Sequence, residues 1–120
     1  YIKRIIGLPG ENIYFENGNV IVENNSAKKN IAEPYLAKET QTRGENYSNI
    51  KDRTYFVLGD NRGASSDSRI FGSVNRKNII GKVWLYIKTE PWKKITLGNK
   101  TITIPKIKEV GRIQKPIYDL

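Results

Sequence analysis

The 120-residue chain contains no cysteine and no histidine. These two absences exclude Ser-His-Asp and Cys-His catalysis by this chain, and zinc sites built from cysteine or histidine. An acyl-transfer enzyme of this composition would need Lys, Asp, Glu or Tyr as its base. We expect no metal and no cofactor. Without cysteine, the sequence fits an oxidising and a reducing compartment equally well.

A run of about 18 apolar residues, which a membrane-spanning helix needs, is also missing, so we expect no segment of this chain to cross a membrane. Acidic residues are few: 12 Asp and Glu stand against 21 Lys and Arg, giving a net charge of +9. Such a charge suits nucleic acid, anionic lipid or a cell-wall polymer, or a plain solvated surface. Basic residues are dense after Pro91, where they could favour an anionic membrane surface.

The composition favours strands over helices, because β-branched and aromatic residues are frequent. The length of the chain suits one domain. We predict a mainly β fold, with antiparallel sheets folded into an open, barrel-like domain, and we expect the first three strands to form one sheet. Hairpin turns are indicated at Asn17-Gly18-Asn19 and Gly98-Asn99. Strand-like segments are expected at 1–6, 13–16, 20–23, 53–58, 81–89, 95–97 and 101–104.

The chain divides by composition into a core and two additions. Residues 1–23 and 53–90 are expected to form the core sheet, and 24–52 a small polar excursion away from it. Residues 91–120 are expected to form a C-terminal hairpin and tail.

A polar loop at residues 59–72 follows the strand-like segment 54–58. Its fourteen residues include two Asp, two Arg, three Ser and three Gly, so it cannot be a core element. Partly buried polar groups without partners cost about 1–3 kcal/mol each, so the charges need pairing. We expect Asp67 to pair with Arg69, and Asp60 to pair with Arg62 or with a distant arginine.

Two motifs resemble those of bacterial type I signal peptidases, the Ser-Lys endopeptidases that remove signal peptides at the outer face of the cytoplasmic membrane. One is Tyr-Ile-Lys-Arg-Ile-Ile-Gly-Leu-Pro-Gly-Glu at 1–11, and the other is the polar loop, with its Gly-Asp-Asn-Arg opening and Ser-x-Asp-Ser-Arg core. Glu-Pro-Tyr-Leu at 33–36 and Ile-Ile-Gly-Lys at 79–82 extend the resemblance to about residue 86.

The resemblance implies a role for eight residues. Lys3 would be the general base, and the Ser65 hydroxyl would orient its amine. A supporting salt-bridge framework would consist of Arg4, Asp60, Asp67 and Arg69, and Tyr1 and Ile2 would line shallow substrate pockets. The simpler alternatives are a surface lysine at a strand edge and ion pairs that only stabilise the loop.

A lysine can act as a base near neutral pH only if its environment lowers its pKa, which is ordinarily about 10.4. Apolar Ile2, Ile5, Ile6 and Phe71 could supply that environment. A neutral serine hydroxyl could orient the amine, whereas a carboxylate in its place would hold the lysine protonated.

The sequence departs from the family in two places. The family's nucleophile lies in a Ser-Met-x-Pro-type segment upstream of the lysine, after a transmembrane helix, and neither is found in this chain. We therefore expect a fragment of a longer enzyme that is inactive alone. Gly63-Ala64 also replaces the family's usual Asp-Asn, which hints at a specialised branch.

The resemblance implies that the partners are signal peptides of secreted precursors and that the protein is located at the cell membrane, with this domain on the extracytoplasmic side. One alternative is an inactive relative that binds precursors or assembles surface structures such as pili. Another is a basic β-barrel that stacks single-stranded nucleic acid on Tyr14, Phe15, Trp84 and Tyr86. That alternative leaves both motifs unexplained, so we expect no nucleic-acid partner.

Overall fold

The computed structural model describes residues 1–25, 27–83, 85–97 and 100–112, with the last two segments described through their backbone. The residues fall into two compact units, one within Tyr1–Gly81 and the other within Lys82–Lys115. Trp84, the Gly98-Asn99 turn and the tail after Arg112 lie outside the described residues. The predicted division into 1–23 with 53–90, 24–52 and 91–120 stays a prediction.

Strands dominate both units. The first contains β1 (Arg4–Gly7), β2 (Asn12–Glu16), β3 (Asn19–Glu23), β4 (Lys28–Asn30), β5 (Thr54–Leu58), α1 (Ser68–Phe71), β6 (Val74–Asn75) and a 3-10 turn at Arg76–Asn78. The second contains β7 (Leu85–Leu97) and β8 (Lys100–Arg112). Every described strand pair is antiparallel, which confirms the mainly β prediction.

The first unit has two three-stranded sheets, ordered β1-β5-β6 and β2-β3-β4. The expectation that the first three strands share a sheet is therefore wrong, and β1 begins at Arg4 rather than at the first residue. The reason lies in the turn between β1 and β2. The Glu11 carboxylate accepts a hydrogen bond from the Leu8 amide at 2.7 Å, and the Gly10 amide donates to the Ile50 carbonyl at 2.7 Å. These two contacts direct β2 away from β1 and into the β2-β3-β4 sheet.

The β2–β3 hairpin turns within the predicted Asn17-Gly18-Asn19 segment, and its loop has two residues. Asn17 and Gly18 both have positive φ, 51° and 81°, and Glu16 pairs with Asn19. A two-residue turn with positive φ at both positions matches the twist of the flanking strands, and Asn-Gly is its preferred sequence.

The core packs between the two sheets of the first unit. Its buried members are Ile6, Ile13, Val20, Val22, Ile50, Phe56 and Leu58, with Phe15, Ile31 and Tyr47 packed against them. Within β2, β3 and β5 the core side chains come from alternate residues, because successive residues of a strand face opposite sides. One continuous core therefore joins the two sheets.

The polar excursion packs onto the β2–β3 hairpin. Strand β4 extends this sheet through pairing with β3, Tyr47 forms a bridge with Ile13, and the Thr42 amide donates to the Gly18 carbonyl at 2.8 Å. Thr42 and Ile50 are buried. Few apolar residues therefore suffice to hold this segment against the first unit.

The second unit is a long hairpin. The predicted strands at 95–97 and 101–104 are confirmed by the pairing of Ile95 with Ile102 and of Lys94 with Thr103. The hairpin is longer than expected, since it extends to the pairing of Leu85 with Arg112. Its register shifts between Glu90 and Lys93, where Pro91 has no amide to donate to the ladder.

Replacing Ile13 with alanine tests the shared core. Ile13 has no exposed surface, and deleting a buried isoleucine side chain to alanine costs about 2–5 kcal/mol. We expect Ile13→Ala to lower the free energy of unfolding by that amount in a denaturant titration. Ile70→Ala is the matched control, because Ile70 is 73% exposed and such surface changes stay within about 0.5 kcal/mol. Equal losses in the two variants would contradict this core.

Candidate active site

The structure brings Lys3 and Ser65 together. Lys3 lies immediately before β1, and Ser65 lies in the polar loop that follows β5. The pairing of Arg4 with Leu58 brings these two segments side by side. The Lys3 amine donates a hydrogen bond to the Ser65 Oγ at 2.5 Å, across 62 residues of sequence, and both residues are half-buried. The contact predicted for this pair is therefore present.

Gly59 makes this contact possible. A Cβ at this position would lie 1.9 Å from Ser65 Oγ, 2.5 Å from Ser65 Cβ and 3.2 Å from Lys3 Nζ. The first two distances are far below van der Waals contact, so any side chain at residue 59 would displace the serine. Gly59 belongs to the Gly-Asp-Asn-Arg motif, but the sequence alone does not show that Ser65 packs against it.

Arg4, the first residue of β1, anchors the strand that directly follows Lys3. Its Nε and Nη2 donate to the two carboxylate oxygens of Asp60 at 2.9 and 2.7 Å, a bidentate pair. This hydrogen bond raises the pKa of Arg4 above its ordinary value. The guanidinium also stacks on the Tyr35 ring, 3.5 Å from its centroid. The distant arginine expected for Asp60 is therefore Arg4, and the Arg62 alternative is wrong.

Asp67 organises the second half of the loop. The carboxylate is fully buried and accepts hydrogen bonds from the Arg69 side chain at 2.8 Å on each oxygen, and from the Gly59 amide at 3.0 Å. It also caps α1 by accepting from the Arg69 amide. Burial alone would raise the pKa of Asp67, but these hydrogen bonds outweigh it and lower the pKa below its ordinary value. The predicted Asp67–Arg69 pair is confirmed.

Ser68 ties the loop to the core strand. Its buried Oγ accepts a hydrogen bond from the Val57 amide at 2.8 Å. Because this amide belongs to β5, the serine fixes the start of α1 against the strand that Gly59 directly follows. The sequence does not reveal this partner, because the contact depends on the tertiary fold.

Arg62 pairs with Glu33 rather than with Asp60, the partner that the sequence suggested. Its guanidinium is buried and donates to both carboxylate oxygens of Glu33, to the Thr42 hydroxyl and, through Nε, to the Gly59 carbonyl at 3.2 Å. Burial acts to lower the pKa of Arg62, but the hydrogen bond and charge of Glu33 outweigh it and raise the pKa. The Glu-Pro-Tyr-Leu motif was the signal in the sequence, although no role followed from it.

The apolar surroundings expected for Lys3 are present only in part. Ile6 is buried and Ile5 half-buried, but Ile2 and Phe71 are 73% and 52% exposed. Tyr1 is fully exposed, with its ring centroid 6.0 Å from the Lys3 amine. The difference arises because β1 begins at Arg4 and leaves the first residues outside the sheet. The substrate-binding role of Tyr1 and Ile2 stays a prediction.

The arrangement offers an amine for proton transfer. The Lys3 amine bonds to a neutral hydroxyl, and the carboxylates of Asp60 and Asp67 are held by arginines. Within the part of the chain that the structure describes, no group of three or more acidic side chains is placed to hold a metal. Nor does any helix there have the length and apolar character needed to span a bilayer.

Comparison with known proteins agrees with this geometry. Residues 1–87 match the family described as "Signal peptidase, peptidase S26". The chain belongs to this family. The resemblance of the two motifs to signal peptidases is thereby confirmed, and all eight predicted site residues fall within the matched range.

Individual signal peptidases are similar over the same region. "Signal peptidase I V" of Bacillus subtilis is 39% identical over 95 residues, which is 68% of this chain and 54% of that protein. "Signal peptidase IB" of Staphylococcus aureus is 35% identical over 100 residues, covering 69% of this chain and 50% of its own length. The chain thus spans about half the length of the curated relatives it matches.

A solved structure gives the same result for the fold. A crystal structure of a signal peptidase I from Enterococcus faecalis superimposes with a TM-score of 0.55 at 29% sequence identity. The match covers 66% of this chain and 78% of that one. The open antiparallel sheets therefore agree with those of a signal peptidase domain.

Substitution at Gly59 tests the close approach of Ser65. We expect Gly59→Ala to separate the Lys3 amine from Ser65 Oγ beyond hydrogen-bonding distance, because the methyl group would occupy the position of the hydroxyl. Overpacking of this kind costs about 1–3 kcal/mol. A crystal structure of the variant and a denaturant titration would measure both effects. Gly63→Ala is the matched control, since nothing lies within 4 Å of a Cβ there; an unchanged contact in Gly59→Ala would contradict the argument.

The lowered pKa of Asp67 predicts how stability depends on pH. Its stabilising effect is complete above the ordinary Asp pKa of about 3.9 and is lost as the pH falls through the lower pKa of the folded state. We expect Asp67→Asn to lower the free energy of unfolding at pH 7 by about 3 kcal/mol, since it leaves Arg69 without its buried partner.

The difference between parent and Asp67→Asn should be constant above about pH 5 and should shrink under more acidic conditions. Asp52→Asn is the control, because that side chain is 90% exposed. Chemical unfolding across this pH range is the measurement, and a difference that grows under acidic conditions would refute the assignment.

Proposed function

We propose that the chain is the extracytoplasmic part of a type I signal peptidase that cleaves signal peptides after small residues. The observation that carries the proposal is the hydrogen bond of the Lys3 amine to Ser65 Oγ at 2.5 Å. It joins the two motifs by which the chain resembles the family, and it lies inside the region that the family matches.

In the proposed reaction Lys3 is the general base. A serine hydroxyl, supplied by sequence outside residues 1–120, attacks the scissile carbonyl while the Lys3 amine takes its proton. The protonated amine then gives that proton to the leaving amino group as the peptide bond breaks. A water molecule then attacks the acyl-enzyme while Lys3 accepts its proton, and Lys3 returns that proton to the serine oxygen as the ester bond breaks, which restores the enzyme. Ser65 orients the amine throughout and forms no covalent bond.

The same residues support binding of an extended peptide. Strand β1 lies at one end of the β1-β5-β6 order, and Lys3 immediately precedes it. A substrate strand that added to this edge would gain affinity from main-chain hydrogen bonds and selectivity from pockets for alternate side chains. The exposed Tyr1 and Ile2 side chains are available at the start of the same edge.

The proposal extends to location and partners. The whole protein would be anchored in the cell membrane, with this domain on the extracytoplasmic side, and its partners would be signal peptides of secreted precursors. The net charge of +9 would favour the anionic bilayer surface. Residues 1–120 alone would be inactive because they supply the base without the nucleophile.

Removal of the Lys3 amine tests the mechanism in the full-length protein. We expect Lys3→Ala to reduce kcat/KM for cleavage of a signal-peptide substrate by about 10³-fold, since general-base catalysis contributes about 10²–10⁴-fold. Lys28→Ala is the control, because Lys28 pairs with Glu16 on the surface of another sheet. Cleavage that persists in Lys3→Ala would rule out the base, and a parent that never cleaves would favour a role in binding alone.

The Ser65 hydroxyl has a separate test in the same assay. We expect Ser65→Ala to lower kcat by up to about 10²-fold, the scale of a small misplacement of a catalytic group. Some activity should remain, because the hydroxyl orients the amine and does not attack the substrate. Complete loss together with failure to form an acyl-enzyme would identify Ser65 as the nucleophile instead.

A further inference from the structure

A polar network joins the Glu33 carboxylate to both sides of the Lys3–Ser65 contact. We propose that Glu33 is a positioning residue, which holds the Lys3 amine and Ser65 hydroxyl in register through Arg62 on one side and Tyr35 on the other. This inference rests on the proposed function, since it concerns the alignment of the same base. It gives part of the 24–52 segment a role in the site.

The first connection runs through Arg62 to Gly59. Glu33 binds the Arg62 guanidinium through both carboxylate oxygens. The side chains are almost completely buried, with 1% of Arg62 and 10% of Glu33 exposed. Arg62 Nε in turn donates to the Gly59 carbonyl at 3.2 Å. Ser65 packs so closely against Gly59 that no Cβ fits there. A shift of the Gly59 backbone would therefore move the Ser65 side chain.

The second connection runs through Tyr35 to Arg4. The Tyr35 hydroxyl donates to Glu33 Oε1 at 2.6 Å, and the Tyr35 ring stacks on the Arg4 guanidinium. Arg4 adjoins Lys3 in sequence and is also held by the Asp60 carboxylate. The phenol stays neutral and able to donate, because burial and the hydrogen bond to Glu33 raise the pKa of Tyr35.

The Glu33 carboxylate is the point at which the two connections meet. Its Oε1 accepts from both Tyr35 and Arg62, and its Oε2 accepts again from Arg62. Without the negative charge of Glu33, the buried Arg62 guanidinium would have no counter-charge, and we expect it to move from its present position. The Gly59 backbone, against which Ser65 packs, and the Arg4 side chain next to Lys3 would then both move.

A purely structural ion pair would affect stability alone, so the test must examine protein that is fully folded. We would compare kcat and KM of full-length Glu33→Gln and parent on a signal-peptide substrate, well below both melting temperatures. We expect kcat to fall about ten-fold while KM stays within about two-fold, since a misaligned base weakens the chemical step rather than binding. Tyr35→Phe keeps the ring on Arg4 and removes the hydroxyl, so its loss of kcat should be smaller.

Val22→Ala is the stability-matched control. Val22 is a buried core residue of the β2-β3-β4 sheet and makes no hydrogen bond to the network through its side chain. This variant should be destabilised but should retain the parent's kcat when folded. If Glu33→Gln does not fold, Tyr35→Phe decides alone, because the inference requires a measurable fall in its kcat as well.

A second readout does not depend on cleavage. The nitrogen NMR signal of the Lys3 amine, assigned by its disappearance in Lys3→Arg, should move in Glu33→Gln in the direction of the Ser65→Ala spectrum. A folded Glu33→Gln protein with the parent's kcat and the parent's Lys3 signal would overturn the inference while leaving the peptidase function intact. If the parent cleaves nothing, the proposed function fails, and the Lys3 signal alone decides whether Glu33 positions the amine.

Discussion

The site depends on the pairing of β1 with β5. Arg4 is opposite Leu58 in an antiparallel register, so the residue before Arg4 and the residue after Leu58 also face each other. These residues are Lys3 and Gly59, and Ser65 fills the space that a side chain on Gly59 would have taken. The register of β1 on β5 thus brings Lys3 to the polar loop. It also explains why the residue opposite Lys3 is a glycine.

Two buried charges hold the polar loop in shape. Asp67 fixes its second half and Arg62 its first, and Arg69 links them by donating to the Arg62 carbonyl at 2.8 Å. Among the described residues no buried side-chain nitrogen or oxygen lacks a partner. Removing one member of such a network leaves an uncompensated charge, so the cost is several times that of a surface pair. The loop is therefore held in place by polar contacts rather than by apolar packing.

Local sequence signals predicted the local structure well. Asn17-Gly18 specified its turn, 54–58 its strand, and Asp67 its partner two residues away, because each depends on near neighbours. The resemblance to signal peptidases supplied Lys3 and Ser65. Contacts between distant segments were beyond local rules: neither the partner of β1 nor the Glu33–Arg62 pair follows from spacing, and burial of Ile6 but not Ile2 depends on where β1 begins.

Lys3 and Ser65 are 62 residues apart in sequence, so the contact between them forms only as the chain folds. Closing so long a stretch of chain costs conformational entropy, and contacts between residues far apart in sequence slow folding. A newly made chain already contains Lys3 and Ser65, yet the two side chains are not in contact until β5 has joined β1. For a protein of the proposed function, folding would itself be the activation step, and an unfolded chain in transit would be harmless to its neighbours.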